Sequence, residues 1–527
     1  MLLPMVMRRE WIPARWRLFL AALVAALAAA SAAATSASAA VRRDAVVTSF
    51  DGTKIHLHFF SAVGLHRGQR AATVLQGPGW GGTAVADPNA PTSPPFGFVG
   101  VGPLRHAGYN VLTWDPRGFG RSGGAAEIDS AKFEARDVSA LITWLAHQPE
   151  ALLDKPGDPR VGMVGGSYGG GIQLTAAAID KRIDAITPDI SWNSLITSLD
   201  KNDTVKSGWA QLLYLGALNA HQRNDPLIAK GYTEGQAGFT LTSDVTNFFA
   251  TRGPGSLVSR IHIPTLLLQG TVDTLFTLQE AVDNYTLLRA NHVPTKMLWF
   301  CGGHGLCITN PGDQGRIQRD VLAWLGRYLK RDARVKTGPG FEWLDQNGRS
   351  YSSPGYPPPT EAPLTITTAT TPGTLPLIAT GGSGPYAGPF PKSAGSFATA
   401  FGPAVATRAS NAVNIPIRPQ AKMLIFGAPK LTLTYAGTSL RTAGRVLAQI
   451  VDDATGKVLG NQITPIDVVL DGARHTVTVP LEMIVAAAKP GASFTLQLVA
   501  QSSLYDTFPV GGSVTFSSVT LSLPTVR

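Results

Sequence analysis

From residue 45 to residue 330, short β-branched or apolar segments alternate along the chain with segments of helical periodicity. Such alternation is typical of a mostly parallel sheet covered by helices. Asp51-Gly52 predicts a tight turn between the first two strands. The predicted strands are 45–50, 54–60, 72–76, 109–114, 160–165, 185–190, 263–269 and 296–300, and the clearest helix is 131–147. The sequence therefore predicts an α/β domain.

One connection in this domain is much longer than the others. Roughly seventy residues separate the strand at 185–190 from the strand at 263–269, which is far more than an ordinary loop needs. We predict a helical lid there, at about residues 193–260. Four apolar residues in it follow helical spacing: Val205, Trp209, Leu212 and Leu213. This spacing favours packing over substrate contact, and both interpretations stay open.

The character of the chain changes near residue 354. A length of 527 residues exceeds what one hydrophobic core usually organises, so two domains are expected. Residues 354–359 read Pro-Gly-Tyr-Pro-Pro-Pro, which predicts a linker. Short alternating strands follow at 430–435, 446–451, 475–479, 494–500 and 513–523. We predict an α/β domain over 40–337, a linker over 338–360 and a β-sandwich over 361–527.

The N-terminus has the features of an export signal. Four arginines (Arg8, Arg9, Arg15 and Arg17) precede an apolar run at 18–34, and Ala-Ser-Ala at 37–39 resembles a signal-peptidase site. We predict a signal peptide over 1–39 and a secreted, extracytoplasmic protein. The alternative is a membrane anchor, because the run is close to the length of a span. The general or the twin-arginine route would both fit. No other stretch is apolar and long enough to span a membrane.

Composition and charge exclude two further classes. A hydrophobic fraction of 44% with 15% charged residues suits a packed globular protein and excludes wholesale disorder. The net charge of +10 is spread along the chain without basic runs or interleaved aromatic residues. Nucleic acid is therefore excluded as a partner.

Two stretches match the pattern G-x-S-x-G, and their context separates them. Ser167, within Gly-Gly-Ser-Tyr-Gly at 165–169, follows a predicted strand and opens a helix of small residues at 169–179. A nucleophile elbow requires this context, because the strained turn must lift the hydroxyl above the sheet. Ser122, within 120–124, leads into a loop instead. We therefore interpret Ser167 as the nucleophile.

A serine nucleophile needs a histidine base and a carboxylate that orients it, and on this type of sheet they follow in the order Ser, acid, His. Asp273 lies just beyond the strand at 263–270, and His304 follows the strand at 296–300 within a glycine-rich loop. Of the ten histidines, His304 alone meets both order and position. The sequence predicts the catalytic triad Ser167, Asp273 and His304.

An oxyanion needs two preorganised donors, normally the N–H after the nucleophile and one from the loop after the third strand. These are the backbone N–H groups of Tyr168 and Trp80, the latter within Gly-Pro-Gly-Trp-Gly-Gly at 77–82. The alternative for 77–82 is a glycine turn without a catalytic role.

The only two cysteines, Cys301 and Cys307, flank His304 symmetrically. With the export signal, this favours a disulfide that pins the histidine loop, whereas the alternative is two reduced, buried thiols. No metal site is predicted, because two cysteines and one histidine make an incomplete ligand set.

These residues together resemble the cocaine esterase / X-Pro dipeptidyl peptidase family of α/β-hydrolases. The likeness includes Asp-Gly-Thr at 51–53, Trp-Asp-Pro-Arg-Gly-Phe-Gly-Arg-Ser-Gly at 114–123, and a stretch at 427–433 that resembles the start of a C-terminal jelly-roll. The resemblance implies an α/β-hydrolase core with a lid and a jelly-roll, acyl-serine chemistry and no cofactor. Asp115 and Arg117 are interpreted as a structural pair. The family's tyrosine in the loop after the third strand is absent.

Three functions remain possible. They differ in the ligand, which is a small-molecule ester, a peptide or an undefined binding partner. The first is an exported esterase. The second is a peptidase that releases dipeptides or tripeptides, for which Asp200, Asp203 and Glu234 are candidate carboxylates for the substrate ammonium. The third is a catalytically silent binding protein, which the intact triad disfavours. The sequence leaves the leaving group and the oligomeric state open.

Overall fold

The computed structural model describes residues 42–91, 99–238, 240–368, 370–390, 402–505 and 511–527. The predicted signal peptide at 1–39 lies outside the described residues. Among the described residues, no helix combines the length and the apolar character that crossing a membrane requires.

A ten-stranded sheet forms the centre of the N-terminal part. Its spatial order is β1-β2-β4-β3-β7-β8-β9-β10-β11-β12, with parallel pairing from β4 through β11 and antiparallel pairing at both ends. The strands are β1 (Arg42–Thr48), β2 (Lys54–Phe60), β3 (Thr73–Gln76), β4 (Asn110–Trp114), β7 (Val161–Gly166), β8 (Ile183–Asp189), β9 (Thr265–Gly270), β10 (Thr295–Phe300), β11 (Phe341–Leu344) and β12 (Ser350–Ser353). A small separate hairpin consists of β5 (Leu153–Lys155) and β6 (Asp158–Pro159).

Helices cover both faces of the sheet, as the alternating sequence predicts. Residues of α2 (Glu134–Leu145), α3 (Tyr168–Ile179) and α8 (Leu278–Ala290) share one apolar cluster with one face. Residues of α1 (Val101–His106) and α9 (Arg316–Tyr328) share another with the opposite face. The central strands are buried along their whole length because helices lie above and below them. The α/β-hydrolase core is confirmed.

The long connection between β8 and β9 is helical. It contains α4 (Leu195–Leu199), α5 (Ser207–Asn219), α6 (Pro226–Gln236), α7 (Ser243–Ala250) and a 3-10 helix (Gly255–Arg260). We call this segment the helical insertion. Trp209 is buried in a cluster that also contains residues of the core and of the C-terminal part, so its packing role is real. Leu213 instead lines a cavity, which is described below.

The C-terminal part is a nine-stranded sheet. Its strands are β13 (Thr360–Thr367), β14 (Gly373–Pro376), β15 (Ala412–Ile417), β16 (Met423–Gly427), β17 (Lys430–Asp452), β18 (Val458–Pro480), β19 (Ile484–Ala488), β20 (Phe494–Val499) and β21 (Ser513–Val526). All their recorded pairings are antiparallel. The two predicted strands at 430–435 and 446–451 are parts of β17, a single 23-residue strand whose pairing with β18 shifts register between Thr438 and Ala443.

The predicted linker at 338–360 requires a correction. Strands β11 and β12 lie within it and extend the core sheet, because Phe341 and Trp343 are buried and pair in parallel with β10. Aromatic packing then joins the two parts of the chain: the ring of Trp299 stacks on that of Phe426, with centroids 5.0 Å apart. The predicted outer boundaries of the domains remain predictions.

Candidate active site

Ser167 lies in a sharp turn between β7 and α3. Its backbone has φ 57° and ψ −121°, a strained conformation that non-glycine residues rarely adopt. The turn is packed against the loop after β3, since a Cβ added at Gly169 would lie 2.3 Å from the carbonyl oxygen of Gly77. Strand, strained serine and helix form the nucleophile elbow that the sequence predicts.

His304 lies within hydrogen-bonding distance of both other predicted triad residues. Its Nε2 is 2.8 Å from the Oγ of Ser167, and its Nδ1 is 2.8 Å from the Oδ2 of Asp273. The rings of Trp209 and Phe276 meet the imidazole edge to face, at centroid distances of 5.9 and 5.0 Å. The imidazole is therefore fixed between a hydroxyl, a carboxylate and two aromatic rings.

Asp273 is 0% exposed, and four N–H groups surround its carboxylate. Its Oδ1 accepts hydrogen bonds from the backbone N–H groups of Leu275 and Phe276, both at 2.9 Å. Its Oδ2 accepts from the backbone N–H of His304 at 3.0 Å as well as from the imidazole. These four donors fix the orientation of the carboxylate toward the imidazole.

The glycines beside His304 are required by close packing on the Asp273 loop. Gly303 has φ +102°, and a Cβ there would lie 2.6 Å from Oδ2 of Asp273. A Cβ at Gly305 would lie 1.7 Å from the carbonyl oxygen of Val272. The two loops can therefore approach closely enough for the imidazole and the carboxylate to meet.

Cys301 and Cys307 form a disulfide, so the predicted pairing is present. It closes the loop that carries His304 and joins the end of β10 to the residues after the histidine. The bond restricts the segment whose position decides the distance between the imidazole and Ser167.

Replacing Cys301 and Cys307 together with serine is expected to lower the free energy of unfolding by about 2–3 kcal/mol, the usual value for so short a cross-linked loop. We also expect kcat to fall several-fold, because the His304 loop gains freedom. Denaturant unfolding and ester kinetics measure the two effects. Unchanged stability and kcat would contradict a pinning role, and wild-type protein treated with dithiothreitol should reproduce the variant.

The two predicted oxyanion donors lie on the wall of the same cavity as Ser167. Tyr168 is the first residue of α3, and Trp80 lies in the glycine-rich loop after β3. Among the described residues, neither backbone N–H has a recorded protein acceptor. Their side chains are held in place, since Nε1 of Trp80 donates to the carbonyl of Leu213 and the Trp80 and Tyr168 rings lie 5.4 Å apart.

The competing serine, Ser122, is 1% exposed and has a structural role. Its Oγ donates to the carbonyl of Asp115 at 2.6 Å and accepts from the N–H of His56 at 2.9 Å. Asp115 and Arg117 also support loops, but through different partners. Asp115 accepts from the N–H of Ala84, whereas Arg117 pairs with carboxylates that include Asp137.

A cleft of about 900 Å³ opens onto Ser167 and lies between the core and the helical insertion. Its wall is formed mainly by apolar and aromatic side chains, among them Ile128, Trp192, Leu195, Ile196, Leu199, Val205, Leu213, Ile228, Leu241, Phe249, Leu275 and Phe276. Asp200 is the one carboxylate among the described lining residues. Burial raises the pKa of Asp200 to about 6, and the neighbouring charge of Asp203 acts in the same direction.

The other two candidate ammonium-binding residues do not line this cleft. Glu234 accepts hydrogen bonds from Thr242, and the carbonyl of Asp203 accepts one from Arg445 of β17. Sequence periodicity did not identify most lining residues, because they come from separate loops and short helices. Within the described ranges, no three His, Cys, Asp or Glu side chains are grouped as metal ligands would be.

A protein-family model gives the family of this chain. Residues 33–305, more than half of the chain, match the model of the X-Pro dipeptidyl-peptidase (S15) family. The chain belongs to the S15 family. The matched segment contains Ser167, Asp273 and His304, and the likeness to cocaine esterase and X-Pro dipeptidyl peptidase drawn from the sequence is confirmed.

Solved structures extend the likeness in fold to more than nine-tenths of the chain. A CocE/NonD family hydrolase from Staphylococcus aureus has a TM-score of 0.65 and 13% identity, covering 92% of this chain and 93% of its own. An α-amino acid ester hydrolase has a TM-score of 0.62 and 13% identity, covering 94% and 98%. At this identity the likeness shows a shared fold.

Curated relatives match shorter segments. The quorum-quenching protein AidA of Acinetobacter baumannii is 26% identical over an alignment of 251 residues that covers 42% of this S15 chain and 78% of that protein. The chain spans 36% and 44% of the length of two other curated relatives.

Proposed function

We propose that this protein is an exported serine esterase that cleaves esters of apolar acyl groups. The observation that carries the proposal is the cleft beside Ser167, whose wall is mainly apolar and aromatic and has Asp200 as the one carboxylate among its described lining residues. An apolar acyl chain gains free energy by leaving water for such a site, whereas a charged peptide N-terminus loses hydration there. The helical insertion acts as the lid of this acyl pocket, and the C-terminal sheet forms a jelly-roll that supports it.

The reaction follows from the hydrogen bonds around Ser167. Oγ of Ser167 attacks the ester carbonyl carbon while Nε2 of His304 takes its proton, and Asp273 holds the imidazole and stabilises its charged form. The backbone N–H groups of Tyr168 and Trp80 donate hydrogen bonds to the developing oxyanion. His304 then returns the proton to the leaving alcohol. Water, activated in the same way, cleaves the acyl-serine and releases the carboxylic acid.

Export is proposed from the arginine-rich, apolar N-terminal segment and is consistent with the disulfide at Cys301 and Cys307. Analysis of culture medium and periplasm for a protein that starts at residue 40 tests it.

The function is tested by kcat/KM on nitrophenyl esters from acetyl to dodecanoyl, beside Ala-Pro nitroanilide. We expect kcat/KM to rise with chain length and to exceed that for the anilide by at least about a hundredfold, because amides are harder to cleave. Efficient anilide turnover with weak ester turnover would contradict the esterase proposal.

The peptidase alternative rests on Asp200, the one carboxylate found on the cleft wall. If the protein is a peptidase, Asp200→Asn will abolish anilide turnover and leave acetyl ester turnover intact. If it is an esterase for apolar acyl groups, the same variant will keep or improve long-chain ester turnover, because the change removes a buried ionisable group.

Filling the cleft is expected to shift the acyl preference. Ala210 of α5 lines the cleft, so Ala210→Trp should lower kcat/KM for dodecanoyl esters by about tenfold or more and leave acetyl esters within about threefold. Leu218 lies on the same helix but is 50% exposed. Leu218→Trp is therefore the matched control and should preserve the wild-type preference. An equal loss for both chain lengths in Ala210→Trp would contradict the assignment of the cleft to the acyl group.

A further inference from the structure

A buried lysine contacts the loop that carries the predicted catalytic acid. Lys206 directly precedes α5 in the helical insertion and is 1% exposed. Its Nζ donates to the backbone carbonyls of Thr274 and Leu275, at 2.8 and 3.1 Å. A cation with so little exposure is costly to bury, so these hydrogen bonds are part of what keeps it there.

The carbonyls bound by Lys206 belong to the same short turn as the N–H groups that bind Asp273. The N–H of Leu275 donates to Oδ1 of Asp273, and the carbonyl of Leu275 accepts from Lys206. Lys206 therefore fixes the orientation of the peptide units whose N–H groups bind the carboxylate of Asp273. A change in these units would alter the Asp273–His304 hydrogen bond without touching either side chain.

Carboxylates of the core and one carboxylate of the C-terminal part balance the charge of Lys206. Burial lowers the pKa of Lys206 to about 8, while Glu482, Glu280 and Asp273 act against this and Lys201 adds to it. Glu482, in the loop between β18 and β19, is buried and pairs with Lys201 at 3.1 Å. Lys201 and Lys206 thus share one buried anion, and it is Lys206 whose Nζ donates to the backbone carbonyls of the Asp273 loop.

The backbone around Lys206 also contacts residues that line the cleft. Its backbone N–H donates to the carbonyl of Leu199, and an isolated β-bridge joins Asp200 to Val205. Leu199, Asp200 and Val205 all line the cleft. The same short segment therefore lines the cleft on one side and contacts the Asp273 loop on the other.

We propose that Lys206 is a positioning residue that couples the acyl cleft of the helical insertion to the carboxylate of Asp273. The inference rests on the proposed esterase function. It assigns to the insertion a part in orienting the triad in addition to covering the substrate.

Lys206→Met tests the proposal, with Lys201→Met as the matched control. Both variants remove one cation beside Glu482, but only the first removes the hydrogen bonds to the Asp273 loop. We expect Lys206→Met to lower kcat by roughly 10- to 100-fold with KM within about threefold. Lys201→Met should keep kcat within about threefold.

The outcomes separate this inference from the esterase proposal. If wild type is active and Lys206→Met keeps kcat within about twofold, or if Lys201→Met shows the same loss, the inference is overturned. If Lys206→Met does not fold, Lys206→Gln is judged by the same criteria. If wild type neither hydrolyses esters nor reacts with a fluorophosphonate at Ser167, the proposed function fails and the inference falls with it.

Discussion

Replacing Ser167 with alanine is expected to lower kcat for ester hydrolysis by about four orders of magnitude or more, to the level that binding and the oxyanion donors alone supply. The reason is geometric. Oγ of Ser167 is the atom within 2.8 Å of Nε2 of His304, and the strained elbow presents it to the cleft. The loss of kcat is measured with stopped assays over hours on a nitrophenyl ester. Active-site titration of the wild type gives the concentration of active enzyme for the comparison.

Ser122→Ala is the matched control because Ser122 has the same G-x-S-x-G surroundings in sequence. It should keep kcat within about threefold and lower the free energy of unfolding by about 1 kcal/mol, because its buried hydroxyl bonds Asp115 and His56. If activity survived in Ser167→Ala and disappeared in Ser122→Ala, Ser122 would be the nucleophile and Ser167 the structural serine. Thermal melting of both variants excludes a folding defect.

Asp273→Asn is expected to lower kcat by about 10⁴-fold, a loss comparable to that of the nucleophile. The carboxylate accepts from the imidazole Nδ1 and from three backbone N–H groups. An amide in its place cannot satisfy all these donors and selects the wrong imidazole tautomer. The kinetic readout is kcat across pH 6 to 9. Fluorophosphonate labelling of Ser167 should slow in proportion.

A second buried aspartate supplies the control for this prediction. Asp189 ends β8, beside the strand that precedes Asp273, and its backbone carbonyl accepts from the N–H of Ser167. Burial, with a further contribution from the charge of Asp273, raises the pKa of Asp189 well above its usual range. Burial therefore favours the uncharged form of Asp189, so the uncharged amide of Asp189→Asn should keep kcat within about threefold. A loss equal to that of Asp273→Asn would show that both carboxyl groups serve the triad.

The order and placement of the triad were predictable because each residue follows a strand with a strong local pattern. Ser167 follows an apolar strand and opens a helix of small residues, and His304 follows an apolar strand and is bracketed by cysteines. In a parallel sheet the carboxyl ends of the strands meet at one edge, so these local signals are enough to bring distant residues together.

The cleft beside Ser167 and the contacts of Lys206 were not predictable, because each depends on packing between segments without a common period. The lining residues come from the core loops and from four short helices, and the sequence does not give the angles between those helices. Lys206 bonds carbonyl groups, which exist at every position and leave no mark in the sequence. The strands at 341–344 and 350–353 were missed because the proline-rich stretch after them favoured a linker.

The aromatic contact between Trp299 and Phe426 has a consequence for how the chain folds. Leu424, Phe426, Met483 and Val485 of the C-terminal sheet belong to the same apolar cluster as the helices and strands around the triad. The N-terminal half therefore cannot complete its interior while it is being synthesised, and must wait for strands that emerge much later. Contacts so distant along the chain make folding slow. Until the whole chain has been synthesised, this apolar surface is exposed and can bind chaperones. A catalytic fragment that ends at residue 360 would keep the surface exposed permanently.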